Sequence, residues 1–411
     1  MPGSKHIFLA VALSAEFLPG HDFRVVAMPA RTTTRASKRA AVARPTLSAA
    51  HLQIVGWWAG SRLFVVACAA AAQVVRWPDR TFHKSLEHHP LTVLGTWDSL
   101  WYEIAAAHGY LLIPGQFSDP AFFPLLPIVE HAFSVLGVPT IVTGVVVANL
   151  ALLVGLIALY EVGRLLLPEA DARRAAVYLA VFPYGFAFSM AYPESLALAA
   201  VALCALFALR RRWLAAGACV AAATLARPQG VFLALPLAAA AWQWWEVMPE
   251  RERTRAVTAV LAGPAALISF SLYLWHVLGN PLAWSQAELA WGRSFSLLGP
   301  WRAFHQLAVA PSHHESWLFR DAAFCLIYLV LLTAARRAGI SWPWILSGAA
   351  MVLLPLTSGT FTSDGRFGLV ALPAFWGLAV VGRRVWADRL ILALSPALLA
   401  LAVFTIRIHY P

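Results

Sequence analysis

The feature that most constrains this chain is its succession of long apolar stretches, which short clusters of arginine separate. Of the 411 residues, 60% are hydrophobic and only 12% are charged, and the mean hydropathy is +0.68. Soluble domains carry charge on about a quarter of their residues, whereas a transmembrane helix needs roughly 20 apolar residues. The sequence therefore predicts an all-α polytopic membrane protein whose solvent is the lipid bilayer.

Eleven transmembrane segments are predicted from hydropathy, and they should be helical because lipid offers no partner for an unpaired backbone group. If the first segment starts in the cytoplasm, arginine-rich loops such as 210–212 and 336–337 all fall inside. The net charge of +11 is then a topology signal, and no nucleic-acid partner is predicted. The predicted spans are 51–75, 139–160, 175–192, 194–209, 213–227, 230–247, 256–278, 317–335, 342–358, 367–382 and 389–406.

The first 50 residues differ from the rest because they are polar, basic and rich in alanine and threonine. They predict a disordered cytoplasmic tail, and Met28 is an alternative start that would make the preceding residues a mis-assigned extension. Residues 51–411 predict one multi-spanning membrane domain, since no internal repeat and no soluble domain is evident.

Two long connections, 76–138 and 279–316, are expected on the outer face. Segment 122–137 of the first is apolar, but two prolines and one acid interrupt it. Another span there would turn the later arginine loops outside, so we expect interfacial helices in this loop instead.

Polar residues that are unusual in a membrane protein collect on the predicted outer face. They occur in the stretches TWDSLWYEIAAAHGY, FPYGFAFSMAYPES, LARPQG, NPLAWSQAELAWGRSF and SDGRFG. A charge within an apolar run is costly in a membrane and often marks function. The candidate site residues are Asp98, Glu194, Arg227, Gln286, Trp291, Arg293, Asp364 and Arg366.

Helix geometry alone offers a simpler explanation for several of these charges. Asp98 lies in the first turn of a predicted amphipathic helix, 97–108, for which Thr96 is the expected N-cap. Glu194 begins a predicted helix and Arg227 ends one. The helix dipole favours acids at the start of a helix and cations at its end, so these positions can be explained without a catalytic role.

Two local clusters also have competing interpretations. Arg366 and Asp364 could form a local ion pair, and His313, His314 and Glu315 could hold a metal ion. No further ligand lies at a usable spacing from the histidines, and no nucleotide-binding or hydrolase motif occurs. No cofactor is predicted, while a divalent metal remains an open alternative.

The motifs, taken in order, resemble those of the PIG-V family, the second mannosyltransferases of GPI-anchor assembly, and its bacterial membrane relatives. The resemblance covers residues 51–385 and rests mainly on TWDSLWYEIAAAHGY and on the WGR of NPLAWSQAELAWGR. The blocks SDPAFFPLLP and SDGRFGLVALPAFW support it. The family often has an acid between the GY and FFPL blocks, and here Asp119 is the acid of that stretch.

This resemblance implies a GT-C glycosyltransferase fold, with interfacial helices in the outer-face first loop. It also implies transfer of mannose from a polyprenyl-phosphate-mannose donor to a glycolipid or glycan acceptor. The reaction would occur on the non-cytoplasmic face, which for this Ala- and Arg-rich chain suggests a bacterial plasma membrane. GT-C enzymes keep a catalytic acid in the first outer loop, and Asp98 matches that position.

The chemistry fits the residue types. A carboxylate can take the proton of an attacking sugar hydroxyl, and guanidinium groups match phosphate bidentately. Arg227, Arg293 and Arg366 are the expected phosphate ligands, while Glu194 and Asp364 are expected to position the acceptor or the arginines. A single base without a nucleophilic acid predicts inversion at the anomeric carbon.

Two other functions remain compatible with the sequence. A lipid or sugar transporter or flippase would favour charges at the bilayer midplane and repeat symmetry, and neither is evident here. A GT-C enzyme that uses a different lipid-linked sugar would retain the same polar blocks.

Overall fold

The computed structural model describes residues 48–74, 91–309 and 317–406. Nearly all of the predicted N-terminal tail lies outside the described residues. So do His313, His314 and Glu315, the alternative metal ligands.

The described residues form α-helices joined by short 3-10 turns and loops, with no strand among them. The 3-10 turns Pro183–Phe188, Pro228–Leu233 and Pro355–Ser358 interrupt the apolar segments. The α-helices are α1 Ala49–Val74, α2 Asp98–His108, α3 Leu125–Ser134, α4 Thr140–Leu166, α5 Glu169–Ala180, α6 Glu194–Leu209, α7 Trp213–Ala226, α8 Ala234–Trp244, α9 Glu250–Leu278, α10 Ala283–Ala287, α11 Gly299–Val309, α12 Trp317–Arg337, α13 Trp342–Leu353, α14 Asp364–Phe367, α15 Leu372–Val381 and α16 Val385–Thr405.

Within the described ranges, five helices are long and apolar enough to cross a membrane, namely α1, α4, α9, α12 and α16. A sixth span results if α14 and α15, which meet at a bend of 91°, are taken together. The chain is thus an all-α integral membrane protein, but the predicted number of eleven spans is not confirmed.

The difference arises because hydropathy does not detect breaks in a helix. The predicted span 175–192 is divided at Ala180, where α5 ends, and residues 183–188 continue as a 3-10 turn. The predicted span 230–247 is likewise split between a 3-10 turn and α8. Prolines begin both turns, and proline cannot donate the backbone hydrogen bond that a continuous helix requires.

The helices pack through small residues. α4 packs against α6, α6 against α7, and α7 against α9, while α12 packs against α15 and α13. A Cβ added at Gly217 of α7 would lie 3.0 Å from Cα of Ala259 in α9. At the α12–α15 crossing, a Cβ on Gly377 would clash with the carbonyl oxygen of Leu331. Close backbone approach through glycine and alanine is typical of membrane helix pairs.

An arginine within the predicted first span is part of the fold rather than of the candidate site. Arg62 of α1 is 5% exposed, and its guanidinium donates to the carbonyl oxygens of Ala180 and Gly185, both at 2.8 Å. It also donates to Ser189 Oγ at 2.9 Å. The end of α5 leaves carbonyl groups without helical partners, and this cation supplies the missing donors.

α3 belongs to the predicted first outer loop and carries a buried acid, Glu130. The side chain is 1% exposed beside Gly144 of α4, and its Oε2 has no hydrogen-bond partner among the described residues. Burial, reinforced by the nearby Glu103, raises the pKa of this carboxyl to about 9. Glu130 is therefore protonated in the folded protein at neutral pH.

Thermal stability should fall as the pH rises between about 4.5 and about 9, because over that window the unfolded chain releases the Glu130 proton and the folded chain retains it. Glu130→Gln keeps the shape of the neutral acid and cannot ionise. We expect its melting temperature to depend less on pH and to exceed that of the wild type at pH 9, by about 1 °C per kcal/mol gained in a chain of 411 residues.

The measurement is thermal unfolding in lipid nanodiscs at pH 5, 7 and 9. The matched control is Glu246→Gln, because Glu246 is an exposed acid. Equal pH slopes for the wild type and Glu130→Gln would contradict the assignment of a buried neutral acid.

Candidate active site

The centre of the candidate site is the guanidinium of Arg366, which joins two carboxylates from distant parts of the chain. It lies 2.5 Å from Oδ2 of Asp98 and 3.3 Å from Oε1 of Glu194. Arg227 pairs with the same oxygen of Glu194. Four residues that the sequence analysis selected, separated by up to 268 positions, therefore form one ion network.

The four side chains differ in their access to solvent. Arg366 and Glu194 are buried at 1% and 0% exposure, whereas Asp98 is 13% exposed and Arg227 is 11% exposed. Asp98 is thus the more exposed of the two carboxylates in the network. Glu194 forms ion pairs with both arginines on the buried side of the network.

The backbone before Asp98 is unusual. Trp97 has φ +58°, a value that costs energy for any residue other than glycine, and its indole donates to the carbonyl oxygen of Ile406 at 2.5 Å. The Thr96 hydroxyl donates back to Val93 at 3.0 Å, so the predicted N-cap at Thr96 is wrong. The tertiary contact of Trp97 fixes the start of α2 in place of a cap.

The predicted helix 97–108 is present as α2, but its buried face is not the apolar one. Asp98, Ser99, Tyr102 and Ala105 are buried, whereas Trp101 on the apolar face is half-buried. Because the polar face turns inward, Asp98 points to the protein interior, toward Arg366.

A second layer of hydrogen bonds holds the turn that carries Arg366. Ser363 has φ +71°, and its N–H donates to Oδ2 of Asp321 at 2.7 Å. The hydroxyl of Tyr184 donates to the same carboxylate, and that of Tyr328 donates to the carbonyl oxygen of Gly365 at 2.6 Å. These hydrogen bonds stabilise the turn, whose positive φ at Ser363 would otherwise be unfavourable.

Asp321, Tyr184 and Tyr328 were not among the candidate site residues predicted from the sequence. Asp321 lies inside the predicted span 317–335, and an acid at that depth was a signal that could have been used. Tyr184 and Tyr328 carry no such signal, because a tyrosine in an apolar helix is common and its hydroxyl partner is visible only in the fold.

Asp364 does not join the ion network. It is 1% exposed and lies beside Cys325 of α12, and neither carboxylate oxygen accepts a hydrogen bond from the described residues. The alternative of a local Arg366–Asp364 ion pair is therefore wrong, because Arg366 turns instead to Asp98 and Glu194.

The ring of Phe367 lies among three guanidinium groups. The guanidinium carbons of Arg227, Arg366 and Arg293 lie 4.5, 5.4 and 5.5 Å from its centroid. Arg293 also donates to the carbonyl oxygen of Thr362 at 3.0 Å and lies 3.8 Å from the carboxylate of Glu288. The face of an aromatic ring attracts cations. Phe367 therefore makes cation–π contacts that stabilise the three guanidinium groups at the edge of the ion network.

A cavity of about 320 Å³ adjoins this group. Its polar lining includes Arg227, Arg293 and Glu288. The remaining walls are mainly apolar and come from α2, α9, the turn after α7 and the end of α13. A cavity that combines two cations and one acid with mainly apolar walls can take an amphiphile whose anionic head pairs with the arginines.

Two predicted site residues lie apart from the ion network. Trp291 packs in an aromatic group, with ring centroids 4.9 Å from Phe117, 5.6 Å from Trp101 and 5.6 Å from Phe122. Gln286 is exposed, and its Oε1 accepts a hydrogen bond from Asn280 at 2.6 Å. Neither side chain lines the cavity.

Asp119, the acid that the family resemblance marked, closes a turn of the first outer loop. Its carboxylate accepts the N–H of Leu111 at 2.7 Å, and it is 3% exposed. Burial raises the pKa of Asp119 to about 6. This placement gives it a structural role between the GY and FFPL blocks.

A second cavity, of about 580 Å³, lies at the other end of α2. His108, Tyr110, His131 and Phe270 are among its lining residues. Across the described part of the chain, no group of three or more histidine, cysteine, aspartate or glutamate side chains could hold a metal ion.

No protein-family model and no curated protein matches this chain. Among solved structures, it is similar to the oligosaccharyltransferase of Archaeoglobus fulgidus in the apo form, with 12% identity, a TM-score of 0.43, and coverage of 87% of this chain and 56% of that one. It is also similar to the oligosaccharyltransferase AglB from Archaeoglobus fulgidus in complex with an inhibitory peptide and a dolichol-phosphate, with 12% identity, a TM-score of 0.42, and coverage of 86% and 55%. The chain spans a little over half the length of these structures.

Removing the central cation should destabilise the protein strongly. Arg366→Gln leaves Asp98 and Glu194 facing each other without the charge between them, and breaking a buried ion pair in this way costs about 3–5 kcal/mol. The double variant Arg366→Gln/Asp98→Asn should recover part of this loss, because it also removes the carboxylate that has lost its Arg366 partner, while Glu194 keeps its pair with Arg227.

Denaturant or thermal unfolding in nanodiscs measures this effect. The control is Arg164→Gln, because Arg164 is 46% exposed and forms a surface pair with Glu161 that should contribute only about 0–1 kcal/mol. Similar losses for both single variants would show that the buried network is not a principal source of stability.

Proposed function

We propose that this protein is a membrane glycosyltransferase. It transfers a sugar, mannose, from a polyprenyl-phosphate donor to a hydroxyl of a glycolipid or glycan acceptor on the non-cytoplasmic face. The observation that carries the proposal is the ion network around Asp98, one of whose arginines, Arg227, also lines a largely apolar cavity together with Arg293. The side chain of Asp98 is 13% exposed and is not itself among the residues that line the cavity.

Asp98 is the best-placed general base. A base must lie within hydrogen-bond reach of the hydroxyl that it deprotonates. Asp98 is 13% exposed, whereas the Glu194 side chain is 0% exposed and engaged with two arginines. The pairing of Asp98 with Arg366 fixes the orientation of its carboxylate.

Arg227 and Arg293 suit the donor phosphate. Both line the cavity, and their side chains are 11% and 14% exposed. Arg366 is 1% exposed and is held between two carboxylates. Of the three arginines expected to bind phosphate, we therefore assign the contact to Arg227 and Arg293, and a positioning role to Arg366.

The reaction follows as a single displacement. The acceptor oxygen attacks the anomeric carbon while its proton passes to Asp98, and the bond from that carbon to the phosphate oxygen breaks. The bonding pair leaves with the polyprenyl phosphate, whose developing charge Arg227 and Arg293 stabilise. With one accessible carboxylate acting as base, the product has the inverted configuration.

The resemblance to the PIG-V family supports mannose as the sugar and a polyprenyl phosphate as its carrier. A different lipid-linked sugar would use the same base and the same arginines. We propose a bacterial plasma membrane on the basis of the Ala- and Arg-rich composition, and an outward-facing site on the basis of the distribution of arginine between the predicted loops.

Replacing the base should abolish transfer while leaving the fold intact. Asp98→Asn preserves the side-chain shape, and loss of a general base typically costs about 10²–10⁴-fold in rate. The assay is sugar transfer by purified protein in lipid, with radiolabelled polyprenyl-phosphomannose and a membrane glycolipid extract. Glu103→Gln is the matched control, because it changes a half-buried acid on the same helix.

Undiminished transfer by Asp98→Asn, at equal folded yield, would move the base to another acid, and Glu288 in the cavity wall would be tested next. Absence of transfer by the wild type would contradict the enzyme assignment for this donor. Flipping of the same lipid would then be measured to test the transporter alternative.

Arg293 should contribute mainly to donor binding. Removal of a charge-assisted hydrogen bond costs about 1.5–3 kcal/mol, so Arg293→Gln should weaken use of the donor by about tenfold or more. Arg293→Lys should retain part of the affinity, because the charge remains and the bidentate geometry is lost.

Steady-state kinetics at varied donor concentration measure this effect, and Arg255→Gln is the control because that arginine is exposed and lies outside the cavity. An unchanged apparent donor affinity in Arg293→Gln would remove Arg293 from the phosphate site.

A further inference from the structure

The connection between the cavity and α11 is anchored rather than loose. The N–H of Ser294 donates to the carbonyl oxygen of Ser358 at 3.1 Å, and that of Ser296 donates to Thr357 at 2.9 Å. Arg302 of α11 folds back to donate to the Ser294 carbonyl at 2.7 Å. Residues 294–296 therefore run alongside the 3-10 turn 355–358, three of whose residues line the cavity.

The outer side of this segment is strongly apolar. Ala303 of α11 is buried, whereas the large apolar side chains of α11 are exposed. The apolar side chains of the residues just before α11 are also exposed. The exposed apolar residues are Phe295 at 73%, Leu297 at 93%, Leu298 at 69%, Trp301 at 71% and Phe304 at 56%.

The cavity opens onto this surface at one residue. Phe295 lines the cavity and is at the same time 73% exposed, so its ring lies at the mouth. Arg293 lies two positions earlier and extends into the cavity. The chain thus places a phosphate-binding cation and an apolar exit next to each other.

Leu354 and Pro355 also line the cavity, and Pro355 begins the turn to which residues 294–296 are hydrogen-bonded. The cavity lining therefore combines two arginines with apolar residues, one of which, Phe295, reaches the exposed face. A lipid phosphate has the complementary groups, a charged head followed by a hydrocarbon chain.

We propose that segment 295–304 is a lateral port, through which the isoprenoid tail of the donor passes from the bilayer into the cavity. The tail lies against Phe295, Leu298 and Trp301 while the phosphate reaches Arg293 and Arg227. This inference rests on the proposed function, since it assigns the path of that donor's lipid.

Photolabelling of the wild type tests the path without requiring catalysis. The probe is a polyprenyl phosphate without sugar, with a diazirine in its isoprene units nearest the phosphate, added to protein in nanodiscs. We expect label in peptides covering 295–304, and excess unlabelled polyprenyl phosphate should suppress it. Label that is not competed, or that equals the label from a diazirine phospholipid, would show bulk lipid contact only and overturn the proposal.

A kinetic test uses a charge at the mouth. Phe295→Glu should raise the KM for a long-chain donor at least tenfold and leave kcat nearly unchanged. It should have little effect on a donor shortened to two isoprene units, whose tail does not cross the mouth. The control is Leu136→Glu, which places the same charge on a residue of the first outer loop that is 75% exposed.

The outcomes distinguish a failure of the proposed port from a failure of the proposed glycosyltransferase function. Competed labelling of 295–304 in a protein that transfers no sugar would support the port as a lipid-phosphate path and reject the glycosyltransferase. Transfer with label confined to the second cavity, around Phe270, would keep the enzyme and overturn the port. Equal KM changes for both variants and both chain lengths would also overturn it.

Discussion

The arrangement of the site depends on one cation, Arg366, buried between Asp98 and Glu194. Two carboxylates brought together in an apolar interior repel each other and lose their hydration, so they need a shared positive charge. Arg366 supplies it, and Arg227 adds a second charge to Glu194. Four separate segments of the chain are thereby joined at one point, and Asp98 is the more exposed of the two carboxylates.

The breaks in the helices are what allow such a site in a protein dominated by lipid-facing segments. Glu194 follows a non-helical stretch, Arg227 precedes a proline turn, and Arg366 lies at the start of a pair bent by 91°. Helix ends bring dipoles and unpaired backbone groups that favour charges. Two of these breaks also divide segments that hydropathy counts as single spans, 175–192 and 230–247.

Solvent exposure and side-chain direction distinguish the roles of residues that are of the same type. The sequence presented Arg227, Arg293 and Arg366 as equivalent candidates for phosphate, yet the first two line the cavity and the third is enclosed by carboxylates. Asp364 offered a plausible partner for Arg366, and it instead lies against α12 beside Cys325. These distinctions depend on the direction of side chains, which a linear pattern does not contain.

The sequence by itself determined that the chain is an all-α membrane protein, because no soluble core could absorb so much apolar surface. It also identified Asp98, Glu194, Arg227 and Arg366, since charges in apolar surroundings are costly enough to be conspicuous. Only the tertiary structure decided their pairing, the inward turn of α2, and the support of the Arg366 turn by Asp321 and two tyrosines. Those contacts join positions far apart along the chain, and their energies come from burial and geometry that exist only once the helices have packed.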